Sequence, residues 1–317
     1  MTSIKNSGVQ MTDERNRLSR VFINAEKLPL DDFSRIILFS DCHRGDGSWA
    51  DAFSKNRNIY YAALNHYFRN NFTYIEIGDG DELWKNKDFS EIIREYGDVF
   101  QLISKYIRED RFYSIYGNHD YEKKKWNASR SGCSKRLDKH EIEAFRILTG
   151  IKHHEGLILW HKDADCKLFL VHGHQADYFN DQLKWFSRFL VRYIWRPLEI
   201  LGFNDPTSPA RNNKKMEAVE RNLLDWIRKE RQPLIAGHTH RPVFPAEGAL
   251  PYFNDGSCVH PDGITGIEIA DGNIMLVKWR LMAKNDGTLF VGKEILTGPY
   301  KLTDYLSHQQ MGRKINN

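Results

Sequence analysis

The chain has 317 residues, of which 41% are hydrophobic and 28% are charged, and its formal net charge is +4. This is the composition of a soluble globular protein, long enough for one large domain or one domain with a substantial insertion. The mildly basic balance favours acidic partners such as phosphates without demanding nucleic acid. No run reaches the ~18 apolar residues of a spanning helix and the N-terminus lacks an apolar signal segment, so we expect neither a membrane span nor secretion.

The terminal segments indicate the limits of the domain, and the cysteines indicate its cellular compartment. Residues 1–33 form a polar N-terminal segment, and we expect the ordered chain to begin at Arg35. A main domain is predicted over 34–300 and a tail over 301–317. The four cysteines show no C-x-x-C pair and no regular framework, which favours a reduced, cytoplasmic setting.

Strands and helices alternate in the first 120 residues. Apolar runs predict strands at 35–40, through Tyr74 to Ile77, and at 111–116. Helical patterns occupy 51–70 and 89–108 between them. This spacing predicts right-handed βαβ units with parallel strands.

The pattern changes after residue 120. The basic segment 121–140 has the composition of an exposed loop or insertion. Further strands are predicted at 156–160, 167–171, 233–236, 264–269, 274–279 and 289–291, and helices at 178–202 and 209–231. The last three strands, separated by glycines, are expected to be antiparallel.

Polar side chains follow five of these strands, and they are Asp41 with His43, Asp79, Asn118 with His119 and Asp120, His172, and His238 with His240. Any one of them alone would be interpreted as a capping or solvated residue. Five such junctions in one chain make that interpretation improbable, because open α/β sheets place their ligands at the carboxyl ends of strands.

Imidazole, carboxylate and amide groups without thiolate suit manganese, iron or zinc. The ligands suffice for two ions, and a carboxylate between them would hold both ~3.5–4 Å apart. Such a pair lowers the pKa of a bound water, so that hydroxide can attack phosphorus in line while the ions neutralise phosphoryl oxygens. Phosphoester hydrolysis is therefore the predicted reaction class.

The motifs D-x-H, G-D-x-x-D/E, G-N-H-D, H and G-H-x-H, in this order, resemble those of the calcineurin-like metallophosphoesterases. The resemblance implies an α/β fold, a four-layer α/β/β/α sandwich of two mixed sheets flanked by helices, and two divalent or trivalent ions, manganese first, with iron or zinc as alternatives. It implies that His119 acts as the general acid, that Asp120 orients its ring, and that Glu82 holds ligands without touching metal. One ion would bind Asp41, His43, Asp79 and His240, and the other Asp79, Asn118, His172 and His238, with Asp79 bridging.

A helical cap insertion is expected at about 178–231. Lys184, Arg188, Arg192 and Arg196 recur every four residues there and make a basic stripe. The stripe is either a solvated edge or a surface for an anionic, partly apolar substrate or an anionic membrane, which would place the protein at the membrane periphery.

With G-D-x-x-E-x-W, this insertion is similar to that of the UDP-2,3-diacylglucosamine pyrophosphohydrolases. Many of those enzymes carry arginine at the position of His119, and H-G-D where this chain has H-G-H. A lipid-linked pyrophosphohydrolase is therefore an alternative function.

Other residues near the motifs have two interpretations each. Arg44, His174, Arg241, Arg188 and Arg192 are candidate substrate contacts, with surface ion pairs or support of the ligands as the alternative. Asp81 is expected to cap a helix or face solvent. The substrate would be a phosphorylated small molecule, lipid or protein, and an inactive scaffold of the same fold is the alternative of another class. A nuclease is a further alternative, supported by the basic segment 121–140, but the two aromatic residues of that segment, Tyr121 and Trp126, do not make the stacking platform of a single-strand binder.

Overall fold

Two β-sheets form the centre of the structure, a computed structural model that describes residues 17–86, 88–126, 137–177 and 213–306. The seven-stranded sheet has the order β12-β11-β10-β2-β3-β4-β5 and the five-stranded sheet the order β1-β6-β7-β8-β9. Both mix parallel and antiparallel pairs. The strands are β1 (Glu26–Leu30), β2 (Ile36–Phe39), β3 (Thr73–Ile77), β4 (Phe112–Ile115), β5 (His153–His154), β6 (Gly156–His161), β7 (Cys166–Val171), β8 (Leu234–Ala236), β9 (Tyr252–Asn254), β10 (Ile264–Ala270), β11 (Asn273–Ala283) and β12 (Leu289–Lys301).

Helices cover the outer face of each sheet, and a short C-terminal helix packs at the core between the sheets. They are α1 (residues 17–24), α2 (Arg57–Arg69), α3 (Phe89–Glu95), α4 (Gly97–Arg108), α5 (Lys139–Gly150), α6 (Asn213–Glu230) and α7 (Thr303–Leu306). Helices α2 to α5 pack on the seven-stranded sheet, while α1 and α6 pack on the five-stranded sheet. Across the described ranges, none of the helices combines the length and the apolar character that crossing a membrane requires.

Side-chain alternation along the strands divides the core into three layers. In β2, Ile36 and Leu38 point between the two sheets, whereas Ile37 and Phe39 pack against helices. In β7, Leu168 and Leu170 face the same inter-sheet core, and Phe169 packs against α1 and α6. Successive side chains of a strand point to opposite faces, so buried strands require apolar residues on both. The predicted α/β fold of two mixed sheets flanked by helices is confirmed.

The N-terminal part of the domain differs from the prediction. Residues 17–24 are helical, and β1 pairs in parallel with β6, with Leu28 and Leu30 buried between the sheets. The expected start of the ordered chain at Arg35 is therefore wrong. The sequence could not show this, because the partner of β1 lies about 130 residues further along the chain.

Three other segments also differ. The helix expected over 89–108 is divided at Tyr96 into α3 and α4, and the supposed loop 121–140 contains a 3₁₀ helix at Tyr121–Lys125 with Lys123 buried. Strand β12 continues to Lys301, and α7 follows it with Leu306 buried, so ordered structure continues beyond residue 300. Helix α6 agrees with the second helix of the predicted cap, whereas the segment 178–212, which holds its basic stripe, lies outside the described residues.

Candidate metal centre

The carboxyl ends of strands from both sheets meet at one edge of the sandwich. Strands β2, β3 and β4 of the larger sheet precede Asp41, Asp79 and Asn118, and β7 and β8 of the smaller sheet precede His172 and His238. Backbone hydrogen bonds join the loops: the N–H of Asp41 donates to Gly78 O at 3.1 Å, and that of Gly237 to His172 O at 2.9 Å. The parallel pairing of these strands is what brings their polar termini together.

Asp41, His43 and His240 form the first group of candidate ligands. Asp41 Oδ1 lies 3.0 Å from His240 Nε2 and 3.6 Å from His43 Nε2, and the two Nε2 atoms are 3.3 Å apart. Neighbouring ligands of an ion bound at about 2.1 Å are separated by about 3.0–3.4 Å. The spacing of this group therefore suits one ion.

Asp79, His172 and His238 form the second group. Asp79 Oδ2 lies 3.2 Å from His172 Nε2 and 3.9 Å from His43 Nε2, so the same oxygen faces both groups. A carboxylate so placed can bridge two ions.

Several of the expected ligand atoms are buried without a hydrogen-bond partner in the described part of the chain. They are Asp41 Oδ1, Asn118 Oδ1 and His172 Nε2. A buried polar group left unpaired costs ~1–3 kcal/mol, so native proteins rarely keep several side by side. Metal ions would satisfy these atoms, and the residues present fit the two-ion site.

Hydrogen bonds on the far side of each ring decide which nitrogen can bind metal. His172 Nδ1 lies 2.8 Å from the carbonyl of Ile77, and His43 Nδ1 lies 3.2 Å from Glu82 Oε2. Carbonyls and carboxylates only accept, so Nδ1 carries the hydrogen in both rings and the lone pair of Nε2 faces the candidate site.

The charges of the site support one another. Burial raises the pKa of the Asp79 carboxyl, but His172 and His119 lower it more, so Asp79 stays ionised. Burial lowers the pKa of His172, but the nearby charges of Asp79 and Asp41 raise it by a larger amount, and the resulting pKa is about 9. In the metal-free protein His172 is therefore protonated, and a metal ion that binds to this ring must displace the proton.

Five of the expected ligands have left-handed backbone conformations: Asp41 (φ 50°), His43 (48°), Asp79 (50°), His238 (68°) and His240 (56°). They are half of the ten non-glycine residues with positive φ among the described positions. Such conformations cost on the order of 1–3 kcal/mol each and persist where the surrounding structure imposes them. The loops are thus held in the geometry that aims these side chains inward.

Two glycines of the motifs are needed because the side chains of candidate ligands lie very close to them. A Cβ on Gly117 would lie 2.1 Å from Asp79 Oδ1, and a Cβ on Gly78 would lie 2.6 Å from the His172 ring. Gly78 also has a φ of 86°. Each glycine therefore lets a neighbouring ligand reach its place.

The ring of His119 is held by Glu82 and Trp84. Its Nδ1 lies 2.9 Å from Glu82 Oε1, and its face stacks on Trp84 with centroids 4.2 Å apart and planes inclined by 21°. Burial raises the pKa of the Glu82 carboxyl, but His119 and His43 lower it well below its usual range, so Glu82 is an ionised acceptor for both rings.

Asp120 does not contact the His119 ring, contrary to the expectation. Its carboxylate accepts hydrogen bonds from the backbone N–H groups of Gly117 and Gly80, at 2.6 and 3.1 Å, and lies 2.7 Å from Lys123 Nζ. It therefore fastens two of the ligand-bearing loops to each other, and Glu82 takes the place beside the ring.

Arg44 is not available to substrate. It is 1% exposed and lies 2.7 Å from Asp81 and 2.8 Å from Glu76, while Lys123 Nζ lies 2.7 Å from Asp81. Asp81, expected to cap a helix or face solvent, is therefore a member of a buried ion-pair network. The proposed substrate role of Arg44 is wrong because its guanidinium compensates two buried carboxylates.

The other candidate substrate contacts fall into three classes. Arg241 is half exposed and paired with Glu220 of α6 at 2.9 Å. His174 is 1% exposed, its ring lies 5.5 Å from that of His172, and neither of its nitrogens has a hydrogen-bond partner in the described part. Arg188 and Arg192 lie outside the described residues.

Sequence reasoning missed the supporting carboxylate of Asp177. Asp177 Oδ2 lies 3.3 Å from His238 Nε2, which leaves Nδ1 of that ring as its candidate ligand atom. Asp255 accepts a hydrogen bond from the Ser40 hydroxyl at 2.7 Å, and burial raises its pKa well above the usual range. Asp177 follows the isolated histidine by five residues, and this position after a predicted ligand strand was the available signal.

The family model described as calcineurin-like phosphoesterase matches residues 34–255. The crystal structure of Chaetomium thermophilum Vps29 is similar with a TM-score of 0.39 and 11% identity, covering 84% of this chain and 97% of that one. Among curated proteins, none matches significantly.

Proposed function

The chain belongs to the calcineurin-like phosphoesterase family, and on this basis we propose that it is a binuclear metal-dependent hydrolase of phosphoesters. The observation that carries the proposal is the position of Asp79 Oδ2, which faces His172 of one ligand group at 3.2 Å and His43 of the other at 3.9 Å. Two ions on either side of this oxygen would generate the nucleophile from water and neutralise phosphoryl oxygens.

The side chains have separate tasks in this proposal. Asp41, His43 and His240 hold one ion, and Asn118, His172 and His238 hold the other, with Asp79 shared. Manganese is the first candidate metal, with iron or zinc as alternatives, because the ligands are oxygen and imidazole nitrogen without thiolate.

His119 donates a proton to the leaving oxygen. Glu82 accepts the Nδ1 hydrogen at 2.9 Å, which leaves Nε2 as the atom that carries the transferred proton.

The presence of every expected ligand disfavours an inactive scaffold. Asp41, Asn118 and His172 keep buried atoms without partners in the described part, and a protein that binds no metal would incur this cost without benefit. The alternative of a lipid-linked pyrophosphohydrolase rests on the helical insertion and the G-D-x-x-E-x-W motif, and membrane contact rests on the basic stripe at 184–196, which lies outside the described residues. The cysteine pattern favours a cytoplasmic location.

The test is hydrolysis of p-nitrophenyl phosphate and bis-p-nitrophenyl phosphate by the purified protein, with added manganese and with a chelator. We expect metal-dependent turnover that Asp79→Asn removes, and the preference between the two esters would distinguish a monoesterase from a diesterase. Turnover that survives the chelator, or that is equal in Asp79→Asn, would contradict the proposal.

A further inference from the structure

The indole of Trp84 covers one face of the His119 ring. The centroids lie 4.2 Å apart and the planes are inclined by 21°, which is a stacked pair, and Trp84 is 6% exposed. An indole this well buried has little freedom to move, so it presents a fixed wall to the imidazole.

Three other contacts complete the surroundings of the ring. Glu82 Oε1 fixes Nδ1 at 2.9 Å, the backbone N–H of His119 donates to Asp79 Oδ1 at 2.8 Å, and the edge of His43 meets the ring at 90° with centroids 4.7 Å apart. A single hydrogen bond at Nδ1 leaves the ring free to swing about that point. The flat face of Trp84 removes this freedom and fixes the direction of Nε2.

We propose that Trp84 is a positioning residue for the acid step, holding the His119 ring so that Nε2 points at the leaving oxygen of a phosphoester. This rests on the proposed function. Trp84 acts through its stacking partner His119, which belongs neither to the group of Asp41, His43 and His240 nor to the group of Asp79, His172 and His238. Its influence should therefore depend on how much the leaving group needs a proton.

The experiment compares two esters that differ in this need. Phenyl phosphate releases a phenolate about as basic as that of tyrosine, with a pKa of about 10, whereas p-nitrophenolate leaves readily without a proton. Positioned acid catalysis contributes ~10²–10⁴-fold, so a ring that swings should lose a part of it. In Trp84→Leu we expect kcat for phenyl phosphate to fall about tenfold or more, and kcat for p-nitrophenyl phosphate to change less than about twofold.

Two variants control for damage to the fold. Trp84→Phe keeps a flat face and should retain most of the activity toward phenyl phosphate. Trp279→Leu removes another buried indole, one that contacts His66 and Tyr67 of α2 on the helix-covered face of the larger sheet. This variant should change kcat for the two esters by the same factor. Metal content of each variant is measured in parallel and should be unchanged.

An equal loss for both esters in Trp84→Leu, or no loss for either, would overturn the inference. A readout without turnover separates this from failure of the proposed function: the nearby indole should shift the His119 ring protons upfield in NMR spectra, and Trp84→Leu should remove the shift. If the wild-type protein hydrolyses neither these two monoesters nor bis-p-nitrophenyl phosphate, the proposed function fails, whereas His119 signals that do not respond to Trp84→Leu would refute the inference itself.

Discussion

Asp79 Oδ1 accepts the backbone N–H of His119 at 2.8 Å, so the carboxylate expected to bridge the ions also positions the backbone of the expected acid. Its other oxygen, Oδ2, faces His172 and His43. The two oxygens thus have different tasks, and substitutions can separate them.

Asp79→Asn should lose metal without displacing His119. The asparagine carbonyl oxygen can still accept the His119 N–H, whereas its NH₂ group replaces Oδ2 and cannot bind a cation. We expect turnover to disappear and the bound metal, measured by elemental analysis, to fall for both ions. His119→Ala should keep both ions while kcat falls by about 10²–10⁴-fold; equal metal loss in the two variants would contradict this division.

Glu82→Gln should weaken metal binding and turnover together. Glu82 contacts a candidate ligand, His43, and the acid, His119, with its two oxygens, and an amide can accept from only one of the rings. Loss of a group that supports metal ligands typically costs about 10–100-fold in affinity or activity. Titration with manganese and the rate at saturating metal measure the two effects, and a normal affinity would show that His43 does not depend on Glu82.

Arg44→Met should destabilise the fold by about 3–5 kcal/mol, because it leaves Glu76 and Asp81 buried with less compensation. The matched control is Arg241→Ala, which breaks a half-exposed pair with Glu220 and should cost at most about 1 kcal/mol. Urea unfolding of the metal-free proteins measures both. A small effect of Arg44→Met would mean that Lys123 alone suffices for the buried carboxylates.

The apparent metal affinity should rise with pH through the titration of His172. Its pKa in the folded, metal-free protein is raised to about 9, so the stability it contributes there is fully present below the unfolded pKa of ~6.5 and is lost as pH rises through about 9. Metal must displace this proton, so affinity should increase by up to about tenfold per pH unit for each proton released, and level off near pH 9. Manganese titrations from pH 7 to 9 that give one constant affinity would contradict this.

The proximity of the candidate ligands could be predicted from the sequence because each follows a local pattern, an apolar strand followed by a polar residue. Such a pattern gives the end of a strand, and parallel pairing then brings the ends together. Arg44, Asp81 and Asp120 were assigned wrongly because their partners come from other loops. Arg44 meets Glu76 from β3, and Asp120 meets Gly80. The sequence shows that a residue is charged, but it does not show whether its side chain is buried in an ion pair or exposed.

Strand β1 and Trp84 illustrate the same limit. The segment EKLPL is too short and polar to indicate a strand until its partner β6 is known. Trp84 ends the G-D-x-x-E-x-W motif, but the motif does not show which residue it contacts, and only the packed structure distinguishes a core filler from a ring that covers His119.

Left-handed backbone conformations occur at five candidate metal ligands, Asp41, His43, Asp79, His238 and His240. These positions lower the stability of the fold while their side chains supply groups for the proposed chemistry. Glycine adopts such conformations without steric cost, so a variant with glycine at any one of them should have a more relaxed loop and one ligand fewer. A chain under selection for folding alone could exchange all five and become easier to fold. Five candidate metal ligands thus stand where the backbone would favour glycine, which is the arrangement expected if these side chains serve the proposed metal binding and not folding.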